Sequence, residues 1–385
     1  MLALEWLLWT CAAVIIYHMV LHPLFLIMMS RVMALPMTSQ AQLDSQYMPD
    51  IDIVMPIYNE ADCIVQKLEN LAALNYPLNK LNLYIGLDGC SDESLTLIND
   101  RLTTDRFQDI SCHVINFPQN RGKIKVLNDL MSLGKADIVF LTDASALLPA
   151  NAIRGLTSHF TQTDVGAVSA GYQLVESGQE GESAYWRYQT QVKQAESQLG
   201  SVIGAHGSCY ALRRSLFRAL PAETINDDFI LPMNIISQGY RVIYDTEVVA
   251  LELEGSSTTQ DFNRRKRLSL GNIQQVFACA DVLKPHHGWV AFNFLFGKVI
   301  RALMPLLLAL IFVSSALLSS MWFYQLLFAM QLLAYGITVG CIVSRKEPEN
   351  TYLYLIFYVV SGYIAGLIGA VQFLSGKANY SWSKK

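Results

Sequence analysis

Along the chain, apolar and polar positions fall into three regimes. Residues 6–29 carry no acid, lysine or arginine, and only His18 and His22 interrupt the apolar run. Residues 302–320, 321–344 and 351–375 form three further runs of that kind. Each matches the length of about 20 helical residues that crosses a hydrocarbon core. Between them, residues 35–285 alternate short strand-like runs with segments of helical period. "IDIVMPI" (51–57), "LNLYIGL" (81–87), "CHVIN" (112–116) and "DIVFLT" (137–142) read as buried strands. Segments 61–74 and 123–133 read as helices, and another helix starts near Asp92, a good capping residue. Strands alternating with helices predict a largely parallel sheet covered on both faces.

The second half of this region is less regular. Residues 185–201 read as an amphipathic helix with Tyr185, Trp186 and Tyr188, aromatics suited either to core packing or to stacking on sugar. Residues 204–214 read as a small-residue loop running into a short strand or helix. Residues 225–245 read as a turn, a helix and a strand, and 261–275 as a helix with a basic start.

Composition sharpens the outline. The chain has 385 residues, 52% hydrophobic and 16% charged, which shifts it toward the membrane class. The first apolar run is too long for a signal-peptide core and has neither a basic leader nor a small-residue cleavage site, so it reads as a retained membrane helix. Seven scattered cysteines without a CxxC pair argue against a disulfide framework or a structural zinc site. The net charge of −4 and the lack of a basic run with interleaved aromatics give no sign of a nucleic-acid partner. Arg31 and the group Arg264, Arg265, Lys266 and Arg267 favour a cytosolic middle region by the positive-inside rule, whereas Lys377, Lys384 and Lys385 after the last run leave the side of the tail open.

In parallel sheets, ligands bind beyond the carboxyl ends of the strands. There the polar clusters sit: Tyr58-Asn59-Glu60 after the first strand, Asp88-Gly89 after the second, Asp143 after "DIVFLT". An acid at three strand ends from separated parts of the chain points to a shared site.

Seven stretches carry a family resemblance: "PIYNEA" (56–61), "LDGCSDES" (87–94), "NRGKIKVLN" (120–128), "TDASALLP" (142–149), "GAHGSCYALRR" (204–214), "NDDF" (226–229) and "RRKRLSLGNIQ" (264–274). In this order and spacing they resemble the inverting family 2 glycosyltransferases, and within them the membrane-bound branch of cellulose, chitin, hyaluronan and poly-N-acetylglucosamine synthases. The likeness covers roughly residues 50–275 and fits the membrane layout and the tail "YSWSKK".

The resemblance implies an α/β, Rossmann-like GT-A domain that binds a nucleotide sugar, flanked by N- and C-terminal transmembrane helices. The expected division is a membrane helix over 1–34, the GT-A domain over 35–285, and an interfacial segment with about three membrane helices over 286–385. It implies a multi-pass protein, at a bacterial inner or plasma membrane, with its catalytic domain in the cytosol. It implies sugar transfer from a nucleotide-diphosphate donor, with a uridine diphosphate sugar first, to a lipid-linked or polysaccharide acceptor. Partners are then the donor, the acceptor, the bilayer and export-complex proteins.

Residue by residue, the resemblance places Pro56, Tyr58, Asn59 and Glu60 around the base and ribose. Asp88 would accept hydrogen bonds from the base, and Lys123 would offer charge to phosphate. Asp92 reads instead as a helix cap. "NDDF" stands for the family's Glu-Asp pair: Asp228 would be the general base, and Asp227 serves equally as its partner or as a cap. His206 and Gly207 would lie on the acceptor side. Arg264 and Arg267 keep the basic part of the family's Gln-x-x-Arg-Trp motif, as a clamp for the diphosphate. Leu268 stands where the family has tryptophan, which puts processive chain extrusion in question. Asp143 matches the first acid of Asp-x-Asp, and Ser145 replaces the second. That implies a Mg²⁺ or Mn²⁺ held by Asp143, by Ser145 as a neutral oxygen, and largely by the donor's phosphates. Two other classes fit less of the sequence: a non-catalytic nucleotide-sugar-binding scaffold of an export complex, and a transporter with a soluble insert.

Overall fold

The computed structural model describes residues 1–34, 47–174, 180–253, 258–344, 348 and 350–376, with side chains except at 180–186, 258–265 and 351. Tyr185, Trp186 and the tail "YSWSKK" therefore lie outside the described side chains. The described chain forms two compact units.

The larger unit gathers Leu26–Gly255 and Cys279–Ala291. Its centre is an eight-stranded sheet in the order β3-β2-β1-β4-β7-β6-β8-β5. The strands are β1 (Ile51–Ile57), β2 (Leu81–Asp88), β3 (Ser111–Phe117), β4 (Ile138–Thr142), β5 (Ala146–Leu147), β6 (Val165–Leu174), β7 (Cys209–Arg213) and β8 (Arg241–Glu252). β1 pairs in parallel with β2 and β4, and β2 with β3. Every residue of β1 and β4 is buried, as expected of strands covered on both faces, and this is why they read as continuous apolar runs. The largely parallel sheet expected from the sequence is interrupted by β7, antiparallel to β4 and to β6, and ends in β5, antiparallel to β8. The helices Ile64–Ala72, Ser94–Leu102 and Lys123–Leu133 connect the parallel strands, and the core runs through Ile53, Met55, Ile85, Leu87, Phe140 and Leu68.

At the amino ends of the strands, Asp52 is fully buried against Arg214, with Oδ2 2.6 Å from the guanidinium. Asp52 also accepts from the Asn82 amide at 2.8 Å and from the Ala136 N–H at 3.0 Å. This charged knot closes the sheet end remote from the loops described next.

The smaller unit holds most of each apolar helix. Four segments are long and apolar enough to cross a membrane: Leu2–Met33, Trp289–Leu317, Trp322–Ser344 and Tyr352–Leu374. Leu8 and Cys11 of the first pack with Ile311, Leu318 and Tyr324. The helix Thr258–Ala278, which carries the basic group, belongs to this unit and lies along the last span. A Cβ on Gly369 would stand 3.0 Å from the Lys266 carbonyl, so glycine permits that approach.

Candidate active site

The loops after β1 and β2 are knitted together. Asn59 takes a positive φ of 55°, and its Oδ1 accepts from the Ser91 N–H at 2.8 Å. The Glu60 N–H donates to Ser94 Oγ at 2.9 Å. Asp92 accepts from the Ala61 N–H at 3.0 Å and from the Ser94 N–H at 3.1 Å, at the start of the helix Ser94–Leu102. Partial burial raises the Asp92 carboxyl, but the hydrogen bonds from Ser94 and Ala61 outweigh it and hold it below its ordinary range. Tyr58, Asn59 and Glu60 are half-buried on this double loop, whereas Pro56 is buried inside β1 opposite Gly86.

Asp88 has a structural task that the sequence did not announce. It is fully buried, and its two oxygens accept from the backbone N–H groups of Arg121 at 2.6 Å and Gly122 at 2.8 Å. The carboxylate thus pins the "NRGK" loop to the end of β2, a charge-assisted pair aimed at backbone donors. Gly89, at φ +66°, brings this corner against the backbone of Asn120, where a Cβ would collide. The pinned loop delivers Lys123 to the first position of its helix.

Lys123 is the hub of an acid cluster. Its Nζ lies 3.1 Å from Asp143 Oδ1 and 3.3 Å from Asp227 Oδ1. Burial pulls the lysine down, but Asp143, Asp227 and Asp228 together outweigh it and hold the ammonium protonated well above its ordinary range. Asp227 and Asp228 open the helix Asp227–Ser237, where the helix dipole favours negative charge. The Ala205 N–H donates to the Asp228 carbonyl at 2.8 Å and ties the "GAHG" loop to this helix start. Gly207 then sits between two carboxylates: a Cβ there would be 3.2 Å from Asp143 Oδ2 and 3.5 Å from Asp228 Oδ2. The His206 ring stacks on Tyr172, ring centres 5.4 Å apart, and the backbone N–H of His206 donates to Ser169 Oγ at 3.1 Å.

Four parts of the chain, at Lys123, Asp143, Gly207 and Asp227-Asp228, therefore meet around one gap. Arg264 and Arg267 belong to the other unit; the Arg267 side chain is exposed there, and that of Arg264 lies outside the described side chains. Ser145 is buried, and its carbonyl accepts from the Leu253 N–H at 3.0 Å. Among the described residues no three His, Cys, Asp or Glu side chains gather to hold an ion by themselves. Asp143 is 37% exposed with Oδ2 turned to the gap, which fits an ion whose remaining ligands come from elsewhere.

Two residues here went unread in the sequence. Tyr210, on β7, is buried beside the cluster; burial, then Asp227, Asp228 and Asp143, push its phenol well above the ordinary range. Lys67 is fully buried in the helix Ile64–Ala72. Its signal is a lysine interrupting the apolar stripe Ile64, Leu68 and Leu71.

A family model described as glycosyl transferase family 2 matches residues 52–220, and one described as glycosyl transferase family group 2 matches residues 138–342, more than half of the chain. An N-acetylglucosaminyltransferase of Neorhizobium galegae is 24% identical over 296 residues, covering 71% of this chain and 65% of that protein. One from Rhizobium meliloti (strain 1021) is 22% identical over 276 residues, covering 67% and 64%. The chain thus spans just under two thirds of the length of these relatives. A solved mannosyltransferase from Pyrobaculum calidifontis, in complex with GDP-Man and Mn²⁺, superposes with a TM-score of 0.73 at 20% identity, over 97% of this chain and 100% of that one. That likeness establishes the GT-A fold.

Proposed function

The chain belongs to the family 2 glycosyl transferases, and from that premise we propose that it transfers a sugar from a nucleotide-diphosphate donor to a lipid-linked or glycan acceptor at a membrane. The observation that carries this reading is the cluster of Lys123, Asp143, Asp227 and Asp228 around the Gly207 gap.

Tyr58, Asn59 and Glu60 border the base and ribose, on loops held by Asp92. Asp88 acts through the "NRGK" loop it pins and sets the height of Lys123, which meets the diphosphate. Asp228 takes the proton of the acceptor hydroxyl as that oxygen bonds to the anomeric carbon, while the bond from this carbon to the diphosphate oxygen breaks with inversion. Asp227 holds Lys123 and shares its charge. His206 and Gly207 face the acceptor. A Mg²⁺ or Mn²⁺ bound with the donor supplies charge neutralisation at the diphosphate, and Asp143, with Ser145, is the residue to hold it.

The N-acetylglucosaminyltransferase relatives make UDP-N-acetylglucosamine the first donor to test, in a protein of the synthase-like membrane branch. The domain reading follows: a membrane helix over 1–34, a cytosolic catalytic domain over 35–285, and the remaining spans over 286–385, with four apolar helices in support. The test is a screen of nucleotide sugars by nucleoside-diphosphate release in membranes, with and without Mg²⁺ or Mn²⁺, for the wild type and Asp228→Asn. Release by the wild type and its loss in the variant support the reading. Undiminished release in Asp228→Asn refutes the base, and no release from any donor favours a nucleotide-sugar-binding scaffold.

A further inference from the structure

The turn that carries Asp143 is held from behind by one helix. Lys67 and Asn70 stand three residues apart on Ile64–Ala72 and point the same way, as that spacing dictates. The Lys67 ammonium donates to Thr142 Oγ1 at 2.7 Å, just before Asp143, and to the Ala146 carbonyl just beyond it. Asn70 makes a reciprocal pair with the next residues: its amide donates to the Leu148 carbonyl at 2.8 Å, and its Oδ1 accepts from the Leu148 N–H at 2.8 Å. The Thr142 hydroxyl also donates to the Ser208 carbonyl at 2.7 Å. Ser208 follows Gly207. A chain of hydrogen bonds therefore runs from Lys67 through Thr142 to the Gly207 loop, where β4 and β7 pair at Thr142 and Cys209.

A fully buried lysine is costly, and methionine would fill the same space without that cost. The cost is understandable where the ammonium has a geometric task that no apolar side chain performs. Its hydrogen bonds to Thr142 and Ala146 both fall on the Asp143 turn.

We propose that Lys67 and Asn70 are positioning residues of the transfer reaction, which fix the Asp143 turn and, through Thr142, the Gly207 loop at the separation that the donor diphosphate requires. The link to the donor rests on the proposed function; the brace itself does not. Hydrogen–deuterium exchange of the full chain in detergent tests the brace, and donor KM and kcat test the link. Lys67→Met speeds exchange by about tenfold or more over residues 142–148 and 206–209, with the neighbouring strands unchanged. Asn70→Ala speeds it only around Leu148. With a turned-over donor, Lys67→Met raises donor KM by about tenfold and changes kcat by less than about threefold. Thr142→Val keeps the shape and cuts the chain of bonds, so it serves if Lys67→Met does not fold, and faster exchange over 206–209 is its expected result. Wild-type exchange over both segments in Lys67→Met, or over 206–209 in Thr142→Val, overturns the brace. Faster exchange with an unchanged donor KM overturns the positioning role.

Discussion

Replacing Lys123 by methionine keeps most of the volume at the hub of the acid cluster and removes its charge. Two contacts, at 3.1 and 3.3 Å, are lost. At an effective dielectric of about 20, a contact near 3 Å is worth about 5 kcal/mol of attraction before desolvation. The two contacts do not count equally. Asp143 is 37% exposed, and water and salt screen most of its share, whereas Asp227 is 8% exposed and keeps more. After desolvation, a loss of about 3 kcal/mol is reasonable for breaking a largely buried pair. Spent in the transition state, that is about a hundredfold in kcat/KM. Lys123→Arg keeps the charge and recovers most of that loss. The assay is the initial rate of nucleoside-diphosphate release at neutral pH, for both variants and the wild type. A kcat/KM of Lys123→Met within about threefold of wild type refutes the hub.

Gly207→Ala places a methyl 3.2 Å from Asp143 Oδ2 and 3.5 Å from Asp228 Oδ2; donor KM rises by about tenfold while the melting temperature holds, as measured by rates and thermal denaturation. Arg214→Met leaves the fully buried Asp52 without its cation; it costs about 3–5 kcal/mol, lowers the melting temperature by several degrees and leaves donor KM unchanged, because the pair lies at the opposite end of the sheet. Burial pulls Lys67 down to about 8, against the partial support of Cys209 and Asp143, so between about pH 8 and 10 the folded chain binds fewer protons there than the unfolded one. Stability relative to Lys67→Met therefore rises with pH across that window, by at most about 3 kcal/mol, in denaturant titrations at successive pH values.

β1 over Ile51–Ile57 and the helix Lys123–Leu133 have the boundaries that the sequence suggests, because a strand buried on both faces and a helix with one apolar stripe each leave a clear period. β6 carries no such mark: Gly166, Ala167, Ala170 and Gly171 dilute its apolar run. The antiparallel setting of β7 has no signature in the chain at all, since strand direction depends on which neighbour it meets. The site follows the same logic. Acids at strand ends are visible because parallel strands bring those ends together, and Asp143 meets Asp227 through Lys123 accordingly. Asp88 also accepts from the N–H groups of Arg121 and Gly122, a backbone role that no side-chain pattern announces. Lys67 escapes for the opposite reason, since a single lysine in an apolar stripe resembles any solvated one until its burial is known.

The strand end with a single acid now has a physical account. Asp143 Oδ1 already faces the Lys123 ammonium, and Lys67 stands behind the turn. A divalent ion approaching the bare cluster meets Asp143 Oδ2 beside a fixed positive charge, where Ser145 adds no charge of its own. Donor binding changes that balance, because a diphosphate brings negative charge and several oxygen ligands at once. On the proposed function, metal and donor should therefore bind cooperatively, each raising the other's affinity by the same factor. Titration of Mn²⁺ by its electron paramagnetic resonance signal should give weak binding to the protein alone and binding at least about tenfold tighter with nucleoside diphosphate present. Ser145→Asp should strengthen binding without nucleotide and narrow that difference. Tight Mn²⁺ binding to the protein alone, abolished by Ser145→Ala, would contradict a site built on one carboxylate, because the hydroxyl would then be a principal ligand in its own right.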